Sequence, residues 1–449
     1  MRKPNPLTDP VIAREERIFG LVTVYSTAKQ HFAYFDQAPD LDWDKTFKEY
    51  LPLVEKDQSL RDYYLVLQRF IALLRDGHTD ISPPGELFDA MDRLPLRLDL
   101  AEEEWVVTER YPVKEILADD IPPGSIVLSI EGMPPADYYQ ERFLPYISAG
   151  SERARRMALN YRACYPIGSE VEMQFQYSDG SARARKLRAN QREVEWTDDV
   201  AERYVLPWHR GPMFRTEVLP DGILHVRYGQ CSEECEEQFC GLIDSMGQDR
   251  PMAMILDLRG NGGGLTPVRA VQRIIAAPIP WDMCRTRWSI SYLDARFRQQ
   301  RISDQEFEEI CASGYGLKGF TYDWFNMLTD DQRIEPAEVR YDGPLYILSD
   351  GETGSAAEDF VVLLHGTGRA VVCGEPTSGE TGQPIIVWLP GGGHLRVCTC
   401  LVRCADGTEF VHKGYQPHVP LSRTIKGIAE GRDEVLEAVL ERARAENRG

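Results

Sequence analysis

The sequence predicts a multidomain α/β protein. Its 449 residues are more than one hydrophobic core usually organises, so two or three domains are expected. From about residue 200 onward, apolar strand-like segments alternate with helix-like segments, a pattern typical of α/β layers. The strand-like segments are 223–226, 252–258, 345–348 and 370–373.

Residues 1–92 are predicted to form an N-terminal helical region. A first helix is indicated by apolar residues at helical spacing, which are Ile18, Leu21, Val22, Tyr25, Ala28 and Phe32. A second helix is expected over 59–74, where Ser59 and Asp62 have the spacing of a capping box. We expect Gly77 to leave this helix in a left-handed conformation, which places His78 at the start of a loop.

Residues 93–195 are predicted to be a separate domain of short strands and turns. Residues 126–130 form a compact apolar segment, and apolar and polar residues alternate over 171–177. A hairpin turn is expected at 178–180, and a helix is expected over 138–143.

Residues 196–449 carry the alternating pattern and would form the main domain. Within it, a polar and aromatic segment at about 280–340 resembles an insertion that could be a lid or a cleft wall. The chain ends with a predicted amphipathic helix over 432–445.

The charge and the apolar segments exclude several classes of partner. A formal net charge of -20 argues against nucleic-acid backbones and anionic membranes as partners. The N-terminus lacks the apolar run of a secretory signal, and no stretch has the roughly 18 apolar residues of a membrane helix. We therefore expect a cytoplasmic protein, with a homo-oligomer left open.

The ten cysteines are expected to be reduced thiols in that compartment. Six of them fall in two groups, Cys231/Cys235/Cys240 and Cys398/Cys400/Cys404. Neither group has the paired C-x-x-C spacing of a zinc site. Neither a metal nor a cofactor is predicted.

A glycine turn runs from Asp257 to Gly264 and follows an apolar strand. Consecutive glycines let backbone N–H groups converge on a small anion, either a phosphate or the oxyanion of a tetrahedral intermediate. The turn lacks the Lys and Ser/Thr of a P-loop. A tight turn without any ligand is the alternative.

Ser355 lies where a strand-like segment ends and a helix-like segment begins. Free N–H groups and the positive end of the helix dipole are expected there. The Ser355 hydroxyl could attack a carbonyl while the N–H of Ala356 stabilises the oxyanion. The alternative is that Ser355 only caps the helix.

His78 could act as a general base from its loop, with Asp76 or Thr79 nearby. The alternative is an ordinary loop histidine without a catalytic role.

The order of these motifs resembles the carboxyl-terminal-processing (tail-specific) and tricorn-core family of serine peptidases. Residues 254–264 look like the family's DLRGNPGG strand and glycine turn, and 354–358 look like its GSASASE nucleophile turn. Residues 368–377 look like its GRAVVVGEPT strand, and 76–79 resemble the DGHT of the tricorn-like branch.

Two further segments, 389–393 and 406–417, resemble the family's C-terminal LPDG, PDG and GxxPD motifs, although His418 stands where the family has the last Asp. The resemblance is most specific over about 220–421 and extends more loosely to the N-terminal helices.

The resemblance implies a crotonase-like α/β core with a PDZ-like domain at 93–195 inserted before it. It gives Ser355 the role of nucleophile and His78 that of general base. Gly263 and Ala356 would supply the oxyanion-hole amides. The usual carboxylate-binding glycine loop of a PDZ domain is not found in the middle region.

Three further positions depart from the family pattern. The tail-processing branch uses a lysine base where this chain has Glu380, which favours the histidine mechanism. The tricorn-like branch has a serine where this chain has Gly77. Its orienting glutamate aligns with Val411, so the sequence offers Glu409, or Glu380, to orient His78.

The predicted function is that of a serine-type endopeptidase acting on peptides or unfolded protein segments. A catalytically inactive protein of the same fold, binding a peptide or a small apolar ligand, is the main alternative. A crotonase-like activity on a thioester is a third reading, but it gives no reason for a serine at position 355.

Overall fold

The computed structural model of the chain describes most of its length. The described residues are 11–111, 113, 121–194, 205–209, 211–247, 250–287, 289–299 and 332–446, with 303, 305, 308, 325 and 326.

The N-terminal region consists of helices followed by short strands. Its elements are α1 (Arg14–His31), α2 (Trp43–Glu55), α3 (Leu60–Ile71), β1 (Asp80–Ser82), α4 (Gly85–Asp89) and β2 (Met91–Asp92). The predicted cap is present, because the Ser59 hydroxyl accepts the N–H of Asp62 at 3.1 Å. In α1, Val24 is buried whereas Val22 is 39% exposed, so the apolar face includes Val24 in place of Val22.

The middle region is built on an antiparallel sheet. Its elements are β3 (Leu96–Ala101), β4 (Glu104–Arg110), β5 (Ile126–Ile130), α5 (Pro135–Arg142), α6 (Glu152–Arg162), β6 (Tyr165–Pro166), β7 (Glu170–Gln176) and β8 (Ala182–Arg188). Five strands pair in the order β3-β4-β5-β7-β8. Buried residues of this region form a core of their own, centred on side chains such as Ile130, Met173 and Phe175.

The remaining elements belong to the C-terminal half. They are β9 (Phe214–Leu219), β10 (Ile223–Tyr228), α7 (Glu233–Ser245), β11 (Ala253–Asp257), α8 (Val268–Gln272), β12 (Ile279–Pro280), β13 (Met283–Thr286), α9 (Ile290–Arg298), β14 (Phe325–Asn326), β15 (Arg333–Ile334), β16 (Leu345–Ser349), α10 (Ala356–Leu363), β17 (Val371–Gly374), β18 (Ile385–Trp388), β19 (His394–Val397), β20 (Cys400–Arg403), β21 (Val419–Pro420), α11 (Ile425–Glu430) and α12 (Glu434–Glu446).

A six-stranded sheet in the order β21-β17-β16-β11-β10-β9 lies at the centre of this half. Only β9 runs antiparallel to its neighbour, and the other pairs are parallel. Its central strands are apolar on both faces, as parallel strands covered on both sides are. One face packs on α12 through Val435 and Val439. The other face packs on α10, in a hydrophobic core that also includes buried residues of the N-terminal helices.

Two smaller sheets join distant parts of the chain. β1 pairs with β19, which also pairs with β18. β2 pairs with β6 of the middle region. The N-terminal helices share one hydrophobic core with the C-terminal half, so among the described residues 1–92 has no separate core.

The α/β multidomain prediction is confirmed, with a mixed central sheet and antiparallel sheets around it. The predicted strand at 126–130 and the strand within 171–177 are present, and the last helix is α12. Part of the predicted insertion at about 280–340, chiefly within 300–331, lies outside the described residues. No helix in the described parts of the chain has the length and hydropathy needed to span a membrane.

Candidate active site

The loop between β16 and α10 is fixed to the glycine turn by hydrogen bonds. Asp350 accepts the N–H of Gly260 at 3.0 Å, and the hydroxyl of Thr353 donates to the carbonyl of Leu258 at 3.1 Å. The N–H of Gly354 donates to the carbonyl of Asn261 at 3.0 Å. The glycine turn after β11 and the loop after β16 are therefore held together by hydrogen bonds.

Ser355 occupies the position before α10 in an unusual backbone conformation. Its φ is 52° and its ψ is -131°, a region that costs a non-glycine residue of order 1–3 kcal/mol and is common at functional sites. Its side chain makes no capping hydrogen bond to the helix. Instead, the Ser355 hydroxyl lies 3.2 Å from Nε2 of His78. The helix-cap alternative does not describe this serine.

The loop that carries His78 leaves α3 through a left-handed residue, but that residue is Arg75 (φ 52°) and not Gly77. The prediction for Gly77 was therefore wrong. Glycine is needed there for a different reason, because a Cβ at position 77 would lie 2.6 Å from Cδ of Glu380. Close packing against a buried carboxylate decides this position.

Burial sets the protonation of His78. It lowers the pKa of His78 to about 4, and the positive charge of Arg396 adds to the effect, whereas Asp76 and Asp80 oppose it. The imidazole is therefore neutral at neutral pH and can accept a proton from Ser355. Its other ring nitrogen, Nδ1, is buried and has no hydrogen-bond partner among the described residues.

Asp76 is a buried residue of the loop that carries His78. Its Oδ1 accepts the main-chain N–H of His78 at 3.0 Å, and its Oδ2 lies 2.9 Å from Nε2 of His412. Burial alone would raise the pKa of Asp76, but the hydrogen bond and charge of His412 lower it below its usual value. The other nitrogen of His412 contacts Oε1 of Gln37 at 2.5 Å.

Glu409, which the sequence offered to orient His78, lies elsewhere. Its side chain is 40% exposed and pairs with Arg403 at 2.8 Å and Lys413 at 2.9 Å. Two surface cations thus hold its carboxylate away from the buried imidazole, so the structure does not support an orienting role. Sequence reasoning missed His412 as the residue that reaches this region, because no local motif distinguishes it.

Glu380, the other candidate, contacts the loops rather than the imidazole. Its carboxylate accepts the N–H of Gly77 at 2.5 Å and the N–H of Gly150 at 2.6 Å. Its main-chain carbonyl accepts the N–H of Ser355 at 2.8 Å. Burial and the nearby charge of Asp76 raise the pKa of Glu380 well above its usual value.

A second buried carboxylate, Glu358, orders the segment that contains Glu380. It accepts the N–H of Gly379 at 2.9 Å and of Glu380 at 3.0 Å, and it bonds the hydroxyl of Thr377. Burial raises the pKa of Glu358 to about 7, although these hydrogen bonds act in the opposite direction.

The predicted oxyanion amides differ in their availability. Ala356 is the first residue of α10, and its N–H has no acceptor among the described residues. Gly263 lies against Ser355, but its N–H donates to Oδ1 of Asn261 at 2.9 Å, which removes it as a free donor. Gly262 lines the cleft, and its N–H is not engaged by any described residue.

A cleft of about 310 Å³ opens beside Ser355 and His78. Residues from all three regions line it, since α6 of the middle region faces the glycine turn across it. This volume is at the lower end of the range of about 300–1,000 Å³ that is typical of ligand pockets.

Two groups of side chains have the donor types of a metal site. They are Asp76, Glu380 and His412, and His365, Cys404 and Asp406, and within each group the donor atoms lie within 4.8 Å of one another. The first group lies within the hydrogen-bond network just described, whereas the second is partly exposed.

The comparisons with known proteins address the fold and the family of this arrangement. The sequence profile of "Peptidase family S41" matches residues 222–421. The chain contains a peptidase family S41 domain. Ser355 and the glycine turn lie inside the S41 domain, whereas His78 precedes it. No curated protein sequence matches the chain.

Three solved structures resemble the whole chain. Mature CPAF has a TM-score of 0.75 at 15% identity, covering 95% of this chain and 96% of that chain. A putative peptidase from Parabacteroides merdae has a TM-score of 0.52 at 16% identity, covering 96% and 97%. The photosystem II D1 C-terminal processing protease has a TM-score of 0.50 at 14% identity, covering 93% and 98%. At such identities the likeness concerns the fold, which is that of S41 peptidases.

Proposed function

We propose that this protein is a serine endopeptidase in which Ser355 is the nucleophile and His78 the general base. The observation that carries the proposal is the 3.2 Å contact between the Ser355 hydroxyl and Nε2 of His78. Such a contact is within the reach that proton transfer requires. A peptidase acts on peptides or proteins, and we propose flexible or unfolded segments as substrates because a cleft of about 310 Å³ cannot admit a folded domain.

In the first step, the Ser355 oxygen adds to the carbonyl carbon while its proton passes to Nε2 of His78. The carbonyl oxygen gains the negative charge. The C–N bond then breaks, and His78 returns the proton to the leaving amine. Water releases the acyl group in the same two stages, with His78 first accepting a proton from water and then returning it to Ser355.

The oxyanion would be stabilised by the N–H of Ala356 and, in place of Gly263, by the N–H of Gly262. Ala356 follows the nucleophile and Gly262 lines the same cleft, and neither N–H has an acceptor among the described residues. The positive end of α10 would add to the same stabilisation.

The imidazolium formed during the reaction would be stabilised by the negative charge of Asp76. His412 keeps Asp76 ionised and fixed in place. This arrangement would take the place of the orienting glutamate of the tricorn-like branch.

We also propose that the six-stranded sheet and its helices form a crotonase-like core and that 93–195 is a PDZ-like domain. The separate core of the middle region supports a distinct domain there. Without the carboxylate-binding loop, this domain would contribute α6 to the cleft rather than capture a free peptide terminus.

A fluorophosphonate probe tests the proposal directly. The wild-type protein should be labelled at Ser355, and the Ser355→Ala variant should neither be labelled nor hydrolyse a casein-derived peptide mixture. Circular dichroism of the Ser355→Ala variant is the control that tests whether its fold is retained. Absence of labelling in the wild type, with binding of peptides preserved, would favour the inactive binding protein instead.

A further inference from the structure

The cleft beside Ser355 has an apolar wall that the proposed chemistry does not use. Its apolar lining includes Ile71, Ile81, Ile147, Ala154, Met157 and Ala158. The last three lie on α6 at spacings of three and four residues, so they share one helix face. The middle region thus faces the nucleophile with hydrocarbon.

The charged side chains at one end of the cleft are engaged with one another. Asp80 is ion-paired with Arg162, and it also lies 3.3 Å from Nε of Arg396. Two cations therefore share this carboxylate, and Arg396 also donates to the carbonyl of Gly77 at 2.6 Å. Both guanidinium groups thus already have acceptors.

The charged groups nearer to Ser355 are paired in the same way. Glu352 lies 2.6 Å from Arg97 and 2.9 Å from His209. The carboxylate of Glu380 is occupied by two main-chain amides. A charged substrate side chain would lose its hydration in this cleft and would find the opposite charges already engaged with other partners.

The cleft is large enough for a bulky side chain. An apolar cavity of about 150 Å³ accepts a benzene molecule, whereas this cleft measures about 310 Å³. The small side chains of Ala154 and Ala158 leave this space open on α6. Larger residues at either position would project into it.

We propose that this cleft is the specificity pocket and that it takes one large aliphatic or aromatic side chain flanking the scissile bond. The inference rests on the proposed peptidase function and adds the substrate class. Ala154 and Ala158 set the depth of the pocket, and Met157 sets its width.

A balanced mixture of synthetic peptides tests the assignment, with product ends identified by mass spectrometry. Leu, Met, Phe or Tyr should be enriched at least about tenfold over Asp, Glu, Lys and Arg at one position adjacent to the cleaved bond. Enrichment on the acyl side and enrichment on the amine side both support the proposal and distinguish which residue enters. A preference for charged residues, or equal use of all residues, would overturn it.

Two substitutions with opposite expected effects separate a pocket from a general loss of structure. Ala158→Leu should shift the preference from Phe toward Ala by at least about tenfold, and Met157→Ala should shift it toward larger residues. Ala184→Leu is the matched control, since Ala184 is exposed on β8. An unchanged preference in both pocket variants would overturn the assignment.

The fluorophosphonate probe distinguishes the two ways of failing. If the wild type is labelled and cleaves peptides without an apolar preference, only the pocket assignment is overturned. If the wild type is neither labelled nor active, the peptidase function is overturned together with it.

Discussion

Glu380 binds Ser355 and the segment before His78 at the same time. Its carbonyl accepts the Ser355 N–H at 2.8 Å, and its carboxylate accepts the N–H of Gly77 at 2.5 Å. One residue therefore fixes the distance between the proposed nucleophile and its base. At the position where the tail-processing peptidases have a lysine, this chain thus has a glutamate that links the two loops by hydrogen bonds.

Replacing Glu380 should reduce activity without removing the side chain of Ser355 or of His78. The carboxylate of Glu380 accepts the N–H groups of Gly77 and Gly150. In Glu380→Gln, the side-chain NH₂ would replace one of these acceptors and leave one buried N–H without a partner, at a cost of about 1–3 kcal/mol. We expect a lower melting temperature and a tenfold or greater fall in the fluorophosphonate labelling rate. Glu409→Gln is the matched control and should change neither, because Glu409 lies in surface ion pairs. Equal effects of the two substitutions would contradict the role given to Glu380.

The acid side of the pH profile should depend on Arg396. Burial is the larger cause of the low pKa of His78, and the charge of Arg396 is the next. In Arg396→Gln the pKa of His78 should rise from about 4 toward its usual value. The labelling rate requires the neutral imidazole, so its acid limb should move to higher pH. Arg403→Gln removes a surface cation as a control, and an unmoved limb in Arg396→Gln would count against His78 as the base.

The pair of Asp76 and His412 should affect the chemical step. Asp76→Asn removes the charge that stabilises the imidazolium, and we expect kcat to fall by roughly 100-fold or more. His412→Gln keeps a hydrogen-bond donor toward Asp76 and should cost less, on the order of tenfold. Peptide hydrolysis measured across pH 4–9 with constant KM would place both effects in kcat. Wild-type rates in Asp76→Asn would show that this carboxylate only shapes the loop.

Stability should depend on Arg259 more than on any surface cation. Its guanidinium bonds Asp257 at 2.7 Å and Asp433 at 2.8 Å, and it lies 4.0 Å above the ring of Trp208. Arg259→Leu removes the main partner of the buried Asp257 charge and leaves it the 3.2 Å contact with Nε2 of His225, which should lower the free energy of unfolding by about 3–5 kcal/mol at neutral pH.

The pH dependence of that loss has a definite sign. Burial opposes ionisation of Asp257, but Arg259 holds the pKa of Asp257 well below its usual value. The resulting stability is present above the unfolded-state pKa of about 3.9 and is lost as the pH falls through the folded-state pKa. In Arg259→Leu, burial without the guanidinium would raise the pKa of Asp257, so that at pH 4 its carboxyl can be neutral in the folded variant and no longer costs stability as a charge. Denaturant titrations at pH 7 and pH 4 should show a smaller difference between wild type and Arg259→Leu at the lower pH. A constant difference would contradict this assignment.

The local features of the fold could be predicted because they depend on neighbouring residues. The cap at Ser59 needs only Asp62, and the strand at 126–130 needs only its apolar run. Ser355 and His78 were singled out because their motifs have a family-like context. Their proximity, however, is a contact between residues 277 positions apart, and composition or periodicity cannot supply it.

The features that sequence reasoning missed depend on the direction of individual hydrogen bonds. The three glycines from Gly262 to Gly264 predicted free amides, but the side chain of Asn261 turns back to engage Gly263. Glu409 has the right chemistry for orienting a histidine, yet Arg403 and Lys413 occupy its carboxylate. Such choices are decided by tertiary packing, which one sequence does not display.

The pairing of β1 with β19 has a consequence for biosynthesis. β1 begins at Asp80, two residues after His78, and its partner residue on β19 is Arg396. During translation the imidazole therefore leaves the ribosome hundreds of residues before the strand that seats it. A half-made chain would therefore carry neither the proposed nucleophile nor the strand that positions its proposed base.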